Sequence, residues 1–435
     1  MKKMTINKCL MAAIILMLPA LYISPIRNHF DIILANASVP ADGAILLFLL
    51  LFSIFIFTPF WCKVTFASGM NFRIMGTLII FVIIQLVYGI DDEGGGSESI
   101  AFLISTVIPI FVAIGFKKFF SKSNPEKIIE KFICLFNIYL FINIIYWFYV
   151  LSRKQVVSTG LSFKRMGGTF APDVILGYTI ALVFPIFLLI MGRDQKTASR
   201  KLAFWVMFFV FLISSFLTGS RGSFWVVMVW FLLWIIFLNK QKMSIFYASI
   251  AFFLVVVFFQ YKNVSYERLL STSERARTSS FVAAANYWTT LPMLQKVFGA
   301  GIGNVYPYQK WLSDGRNIYD NEIYISGKMS IVHPHNSFMW VLVECGTLGL
   351  FLFCWPIIEI VKKFIKNNSI VKNFKTISKI FFVFGIFFTF ILLNALDSIL
   401  LINPRVAFVW WSILFIVGDL NVTNSLSMIK TKYNF

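Results

Sequence analysis

Two of the chain's three histidines stand together in the tripeptide His333-Pro334-His335, which Asn336 follows. The tripeptide lies where a long polar loop leads into an apolar run of helix length. Because histidine can change its charge near neutral pH, a histidine beside a loop that holds substrate is a candidate proton carrier. The alternative is that the proline ends the loop and the polar groups only cap the next helix. The catalytic interpretation of His335 is favoured, with His333 and Asn336 as substrate-binding residues.

A second candidate site is the segment from Thr218 to Phe224, which reads Thr-Gly-Ser-Arg-Gly-Ser-Phe and has Arg221 at its centre. Glycines on both sides of the arginine permit a sharp turn, and the serines can cap a following helix. A guanidinium beside a helix N-terminus makes an anion site suited to phosphate. The alternative is that Arg221 extends to the lipid headgroups. Phosphate binding is favoured.

Three further arginines are candidates for substrate binding. Arg277 and Arg316 lie in the loop from 261 to 337, and Arg165 precedes a pair of glycines in the segment from 152 to 172. Such groups could bind an anionic substrate together with Arg221. Clustered arginines also commonly form a solvated face, so this alternative stays open.

The elements that must position these residues are membrane-spanning helices. Hydrophobic residues make up 59% of the chain and charged residues 13%, a balance that no soluble fold could cover with polar surface. Apolar runs of about 20 residues are long enough to span a bilayer. The sequence therefore predicts an all-α polytopic membrane protein with about twelve such helices. They fall at 8–25, 42–61, 73–90, 99–116, 132–151, 173–191, 201–218, 222–238, 244–260, 338–355, 379–397 and 406–420.

The distribution of lysine and arginine orients these helices. A cytoplasmic N-terminus with alternating sides puts most of the 39 basic residues in the cytoplasm, as the positive-inside rule requires. Both candidate sites then lie on the opposite face. The net charge of +20 is explained by lysines beside anionic lipid, so no nucleic-acid partner is expected. The predicted organisation is helices one to nine in 1–260, an extracytoplasmic loop in 261–337, and helices ten to twelve with a cytoplasmic tail in 338–435.

The large loop is expected to fold against the membrane face. Apolar residues between positions 280 and 298 predict a helix, or a helix pair broken at Pro292, on the bilayer surface. The glycine-rich segment from Phe298 to Asn304 predicts a flexible turn.

Helical spacing predicts which residues after the histidines share a face. At about 100° per residue, Gly346 and Gly349 share the face of His335, and Glu344 points to the opposite face. A glycine face permits close helix packing, which would hold His335 rigidly. Asp397 and Arg405 bracket the last extracytoplasmic turn and are expected to form a structural ion pair.

The sequence contains no motif for a metal or a nucleotide cofactor. The five cysteines lie within or at the ends of apolar runs, which favours a packing role. Neither a P-loop nor a dinucleotide fingerprint occurs, and three histidines make a zinc site improbable. The prediction is therefore no cofactor and no bound metal.

The pair His335-Asn336, nine residues and then Gly346-Thr-Leu-Gly349 resemble the signature of the O-antigen ligase and polymerase superfamily. The arginine turn at Arg221 is similar to one that this superfamily carries. The resemblance implies a GT-C-like glycosyltransferase of the bacterial inner membrane that uses undecaprenyl-pyrophosphate-linked glycans at the periplasmic face. It also implies roles: Arg221, helped by Arg277, would bind the pyrophosphate leaving group, and His335 would orient or deprotonate the attacking hydroxyl, with inversion.

Within the superfamily a polymerase extends the glycan by repeat units, whereas a ligase transfers it to the lipid A core. Many ligase-like members have an arginine four residues before an aromatic in the large loop, and here Ala284 precedes Trp288. Arg316 and Gly327, with ten residues between them, resemble a polymerase loop pattern. Polymerisation of O-antigen or a related surface polysaccharide is therefore favoured, with ligation as the alternative.

A lipid-linked oligosaccharide transporter is less favoured, because the polar residues concentrate on one face and no internal repeat is evident. Expected partners are the lipid-linked glycan, membrane lipids and a chain-length regulator.

Overall fold

The computed structural model describes residues 69–88, 103, 106–111, 113–114, 125–152, 173–192, 197–237, 275–302, 324–325, 328–329, 334–368, 374–402 and 404–420. These residues are mainly helical. The described helices are α1 (Gly69–Tyr88), α2 (Pro125–Ser152), α3 (Asp173–Met191), α4 (Ala198–Leu217), α5 (Arg221–Phe237), α6 (Arg275–Thr290), α7 (Met293–Phe298), α8 (Ser337–Asn367), α9 (Phe374–Leu396), α10 (Ile399–Ile402) and α11 (Pro404–Gly418). Two short antiparallel strands, β1 (Tyr324–Ile325) and β2 (Lys328–Met329), pair within the large loop.

Four of these helices, α1, α2, α4 and α8, are long and apolar enough to cross a membrane. The shorter helices α3, α5, α9 and α11 also contain apolar stretches. The predicted class, an α-helical membrane protein, is therefore confirmed. The predicted spans at 8–25, 42–61 and 244–260 lie outside the described residues, and the number of twelve stays a prediction.

Helices α3 to α5, and α2 from Glu130 onward, belong to the first of two compact units. Its core is α3, whose residues from Leu176 to Leu189 are all buried. Helix α3 packs against α4 and α5, and aromatic rings fill the contacts: the ring centroids of Phe187 and Phe204 are 5.0 Å apart. Because lipid is as apolar as these side chains, close packing rather than burial from water holds such helices together. This packing gives the abundant phenylalanines a structural role.

The second unit, which contains α1 and α6 to α11, is built around α8. Helix α8 packs against α1, α6, α7, α9, α10 and α11. It extends to Asn367, twelve residues beyond the predicted end at 355. Three lysines lie in this extension, where their long stems can run along apolar surface while the ammonium groups reach water. The Asn368 side chain closes the helix by donating to the carbonyls of Phe364 and Leu420.

One buried carboxylate joins α1 to α8. Arg73 donates from Nε at 2.9 Å and from a terminal nitrogen at 2.6 Å to the same oxygen of Glu359, whose side chain is 3% exposed. Lys362 lies 3.8 Å from the other oxygen. Because a buried carboxylate is costly without a partner, Arg73 should contribute to stability mainly by neutralising Glu359.

We expect Arg73→Ala to lower the unfolding temperature of the detergent-solubilised protein, because Glu359 would remain buried with Lys362 at 3.8 Å as its remaining cation among the described residues. The double variant Arg73→Ala/Glu359→Leu should recover most of the loss, since it removes the unpaired charge. The measurement is thermal unfolding of both variants beside the parent protein. A double variant less stable than Arg73→Ala would contradict this account.

Candidate active site

His335 lies immediately before the start of α8 and has an unusual backbone conformation. Its φ is +49°, in the left-handed region that residues other than glycine seldom adopt. Asn336 is the N-cap of α8, and its side-chain oxygen accepts a hydrogen bond from the backbone N–H of Met339 at 2.8 Å. The His335 side chain is 24% exposed. Both the capping and the catalytic interpretations of this segment are thus compatible: Asn336 caps the helix, and His335 remains accessible.

The imidazole of His335 faces a carboxylate. Its Nδ1 lies 3.4 Å from Oδ1 of Asp397, which follows the last turn of α9. The Asp397 side chain is 9% exposed, and the same oxygen accepts a 2.8 Å hydrogen bond from the backbone N–H of Ser398. Helical spacing does not predict this contact, and the expected ion pair of Asp397 with Arg405 stays a prediction because the Arg405 side chain lies outside the described residues. The available sequence signal for this contact was the acidic residue Asp397 at the end of the apolar run that forms α9.

This arrangement fixes the chemistry that the imidazole can perform. A carboxylate only accepts hydrogen bonds, so the proton of the ring must reside on Nδ1 for the contact to form. In the neutral ring, a proton on Nδ1 leaves Nε2 as an acceptor that can take a proton from a hydroxyl group. A carboxylate behind the ring also stabilises the imidazolium that proton transfer creates. The pair is therefore suited to general-base catalysis.

The predicted common face of His335, Gly346 and Gly349 is wrong. The dihedral angles of Gly346 are φ +71° and ψ −177°, so α8 is broken there and the helical phase is lost. His335 itself precedes the helix and has no helical phase. The prediction placed these residues at about 100° per residue, which holds only for one uninterrupted helix from His335 to Gly349.

The glycine-rich segment of the large loop packs against α8 at the break at Gly346. The backbone N–H of Ala300 donates to the carbonyl of Val343 at 3.1 Å, and that of Gly301 donates to Glu344 at 3.0 Å. An added Cβ at Gly299 would overlap the Glu344 carbonyl, so only glycine fits. The predicted turn is present, and hydrogen bonds join it to α8. These bonds satisfy carbonyls that the broken helix cannot pair internally, as a membrane-embedded backbone requires.

The large loop contains the predicted helix pair. Helices α6 and α7 are separated by Leu291 and Pro292, which confirms a break at the proline. Ala284 of α6 is 1% exposed and packs with Val343 of α8. An arginine at position 284 would therefore be buried in this contact. Arg277 lies seven residues before Ala284 in α6.

The turn that carries Arg221 reverses the chain between α4 and α5. Helix α4 ends at Leu217 with Thr218 as its C-cap. Gly219 takes a φ of +62°, and α5 begins at Arg221. The hydroxyl of Ser223 donates to the Ser220 carbonyl at 2.8 Å. Gly222 lies against Tyr178 of α3, where an added Cβ would be 3.2 Å from the ring. The glycines thus allow the reversal and the close approach of α3, which leaves Arg221 as the first residue of α5.

The structure describes the other predicted site residues to different extents: some completely, some by backbone alone and some not at all. Arg221 belongs to the first unit and Arg277, His335 and Asn336 to the second. The side chains of Arg221 and Arg277 lie outside the described residues, as do Arg165, Arg316 and His333 altogether. The structure therefore brings together His335, Asn336 and Asp397. In the described part of the chain, no group of three His, Cys, Asp or Glu side chains is arranged to hold a metal ion.

The comparisons with known proteins agree with the site. The chain is an α-helical membrane protein with a histidine–carboxylate pair at one end of a long apolar helix. A family model described as O-antigen ligase matches residues 202–354, a range that includes Arg221, the large loop, His335 and Gly346. The match supports membership of the O-antigen polymerase and ligase superfamily, and with it a function of the O-antigen ligase or polymerase type. No curated protein matches the chain.

We expect Gly299→Ala to displace the large loop from α8, because its φ is +98° and the new methyl group would overlap the Glu344 carbonyl. Left-handed strain alone costs about 1–3 kcal/mol, so the loop should become sensitive to limited proteolysis and transfer activity should fall. Gly69→Ala is the matched control, since its nearest contact would be an ordinary 3.5 Å from Arg73. Equal protease resistance of the Gly299→Ala and Gly69→Ala variants would refute the proposed docking.

Proposed function

We propose that the chain polymerises undecaprenyl-pyrophosphate-linked repeat units of O-antigen or a related surface polysaccharide. The reaction transfers the growing glycan from its lipid pyrophosphate to a hydroxyl of the next lipid-linked unit. It inverts the anomeric carbon and needs neither a metal ion nor a nucleotide sugar. The observation that carries the proposal is the contact between His335 and Asp397 within a chain of this superfamily.

His335 is the general base of this reaction. With the ring proton on Nδ1 toward Asp397, Nε2 accepts the proton of the acceptor hydroxyl as its oxygen attacks the anomeric carbon. The buried carboxylate of Asp397 orients the ring and stabilises the charge that develops on it. General-base catalysis of this kind contributes about 10²–10⁴-fold to a rate.

Arg221 neutralises the leaving group. Bond cleavage at the anomeric carbon places additional negative charge on the pyrophosphate, which a planar guanidinium can bind through two parallel hydrogen bonds. Arg221 is the first residue of α5, where the helix N-terminus also favours an anion. Arg277 is proposed as a further cationic residue for the pyrophosphate, as the resemblance to the superfamily implies. Arg165, Arg316, His333 and Asn336 complete the proposed substrate-binding set.

The choice of polymerase over ligase rests on the large loop. Position 284, where many ligase-like members have an arginine, is an alanine packed in the contact between α6 and α8. Arg316 and Gly327 fit the polymerase loop pattern. Ligation to the lipid A core is the second candidate, favoured by the description of the matching family. Both reactions use the same donor and the same catalytic groups.

The proposed setting is the bacterial inner membrane, crossed by about twelve helices, with both chain ends in the cytoplasm. The active face is periplasmic, because the lipid-linked glycan is polymerised after it has been moved across the membrane. The partners are the lipid-linked donor and acceptor, the surrounding lipids and a chain-length regulator. The basic residues of the predicted cytoplasmic segments support this orientation.

The test is the lipopolysaccharide gel profile of a deletion strain complemented with the parent gene, His335→Ala, Arg221→Ala or Asp397→Asn. The parent should restore a ladder. We expect the His335 and Arg221 variants to give core with a single repeat unit. Asp397→Asn should shorten and weaken the ladder, because it removes the charge that stabilises the imidazolium.

The controls are membrane levels of each variant and Arg221→Lys, which keeps the charge but loses the planar fork. Bare core with accumulated lipid-linked polymer would identify a ligase instead. A full ladder in both alanine variants at normal membrane levels would exclude the assigned catalytic residues.

A further inference from the structure

We propose that Asn394 and Ser398 are positioning residues that hold His335 in its left-handed conformation, an inference that rests on the proposed catalytic role of His335. Both lie at the C-terminal end of α9 or just beyond it, and both side chains are fully buried. Neither lies in the matched range 202–354. Their hydrogen bonds go to the residues that follow His335 and to the carboxylate that faces it.

The conformation of His335 requires such support. A φ of +49° brings the Cβ of a non-glycine residue close to its own backbone, so the conformation persists only where neighbouring contacts impose it. In the described part of the chain, His335 is the one non-glycine residue with a positive φ. The residues on its C-terminal side, Asn336 and Ser337, make the contacts that impose it.

Ser398 makes hydrogen bonds both to the backbone that follows His335 and to the carboxylate that faces its ring. Its hydroxyl oxygen accepts a 3.0 Å hydrogen bond from the backbone N–H of Asn336, which belongs to the peptide group that follows His335. Its own backbone N–H donates at 2.8 Å to Oδ1 of Asp397, the atom that faces the imidazole. One residue thus fixes both the backbone that carries the ring and the carboxylate that orients it.

Asn394 supplies a second anchor one helical turn earlier. Its amide nitrogen donates to the Phe390 carbonyl at 2.9 Å, which fixes the orientation of the amide group. Its Oδ1 then lies 3.1 Å from the hydroxyl of Ser337, the first residue of α8. Asn336 adds a third connection by donating from its side chain to the Ala395 carbonyl at 3.0 Å. The start of α8 is therefore held at several points on the end of α9.

The consequence for catalysis is preorganisation. A base must lie within hydrogen-bond reach of the proton that it removes, and a displacement of about 1 Å can cost about a hundredfold in rate. Loss of either anchor would let residue 335 relax toward negative φ and move the imidazole away from Asp397. Neither Asn394 nor Ser398 is proposed to touch the substrate, so the larger effect falls on kcat, with a smaller effect on KM through Asn336.

The experiment measures kcat and KM for the purified full-length protein with lipid-linked repeat units as donor and acceptor. We expect Ser398→Ala and Asn394→Leu to lower kcat by about tenfold to a hundredfold, with a smaller change in KM. Ser398→Thr, which keeps the accepting hydroxyl, should recover most of the loss. Asn137→Leu is the matched control for Asn394→Leu, since it also removes a buried asparagine that donates to a helix carbonyl but does so in the first unit.

The outcomes separate this inference from the proposed function. Full activity of His335→Ala would overturn the proposed function itself. Inactivity of His335→Ala together with parental kcat in Ser398→Ala and Asn394→Leu would overturn only the positioning role. The positioning role also fails if Asn137→Leu lowers kcat per folded molecule as much as Asn394→Leu, or if Ser398→Thr is no better than Ser398→Ala.

Discussion

The start of α8 depends on its attachment to the end of α9. Helix α8 is the centre of the second unit, and its first residues would otherwise end in unpaired polar groups at a membrane surface. Hydrogen bonds from Asn336 and Ser337 to Ala395, Asn394 and Ser398 satisfy these groups and impose the backbone conformation of His335. The same attachment brings Asp397 to the imidazole, so helix capping and the geometry of the site have one physical cause.

A second constraint comes from the bilayer, in which every backbone group must find a partner within the protein. The break in α8 at Gly346 would leave carbonyls of its first segment unpaired, and the glycine-rich segment after α7 supplies the N–H groups that pair with them. The large loop is consequently attached to α8 within two to three turns of His335. Loop and histidine therefore share one support in α8.

The sequence predicted those features that depend on local composition. The apolar run at 173–191 matches α3 at both ends, and Pro292 separates two loop helices. Helix capping, which was the alternative interpretation of the histidine segment, is present at Asn336. Features that depend on tertiary contacts could not be predicted from the sequence. His335 and Asp397 are separated by 62 positions in the sequence, and spacing arguments cannot predict their contact, because the packing of α9 against α8 decides which polar groups meet. Gly346 was ambiguous too, since a glycine in an apolar helix is compatible with close packing or with a break.

The central claim, that Asp397 holds the ring proton of His335 on Nδ1 and leaves Nε2 as the base, is open to one direct measurement. It is the nitrogen NMR spectrum of protein labelled with ¹⁵N-histidine, with the signals of His335 identified by their loss in His335→Gln. The account predicts a protonated Nδ1 and an unprotonated Nε2, and loss of this preference in Asp397→Ala. A proton on Nε2 with a bare Nδ1 in the parent protein would contradict it.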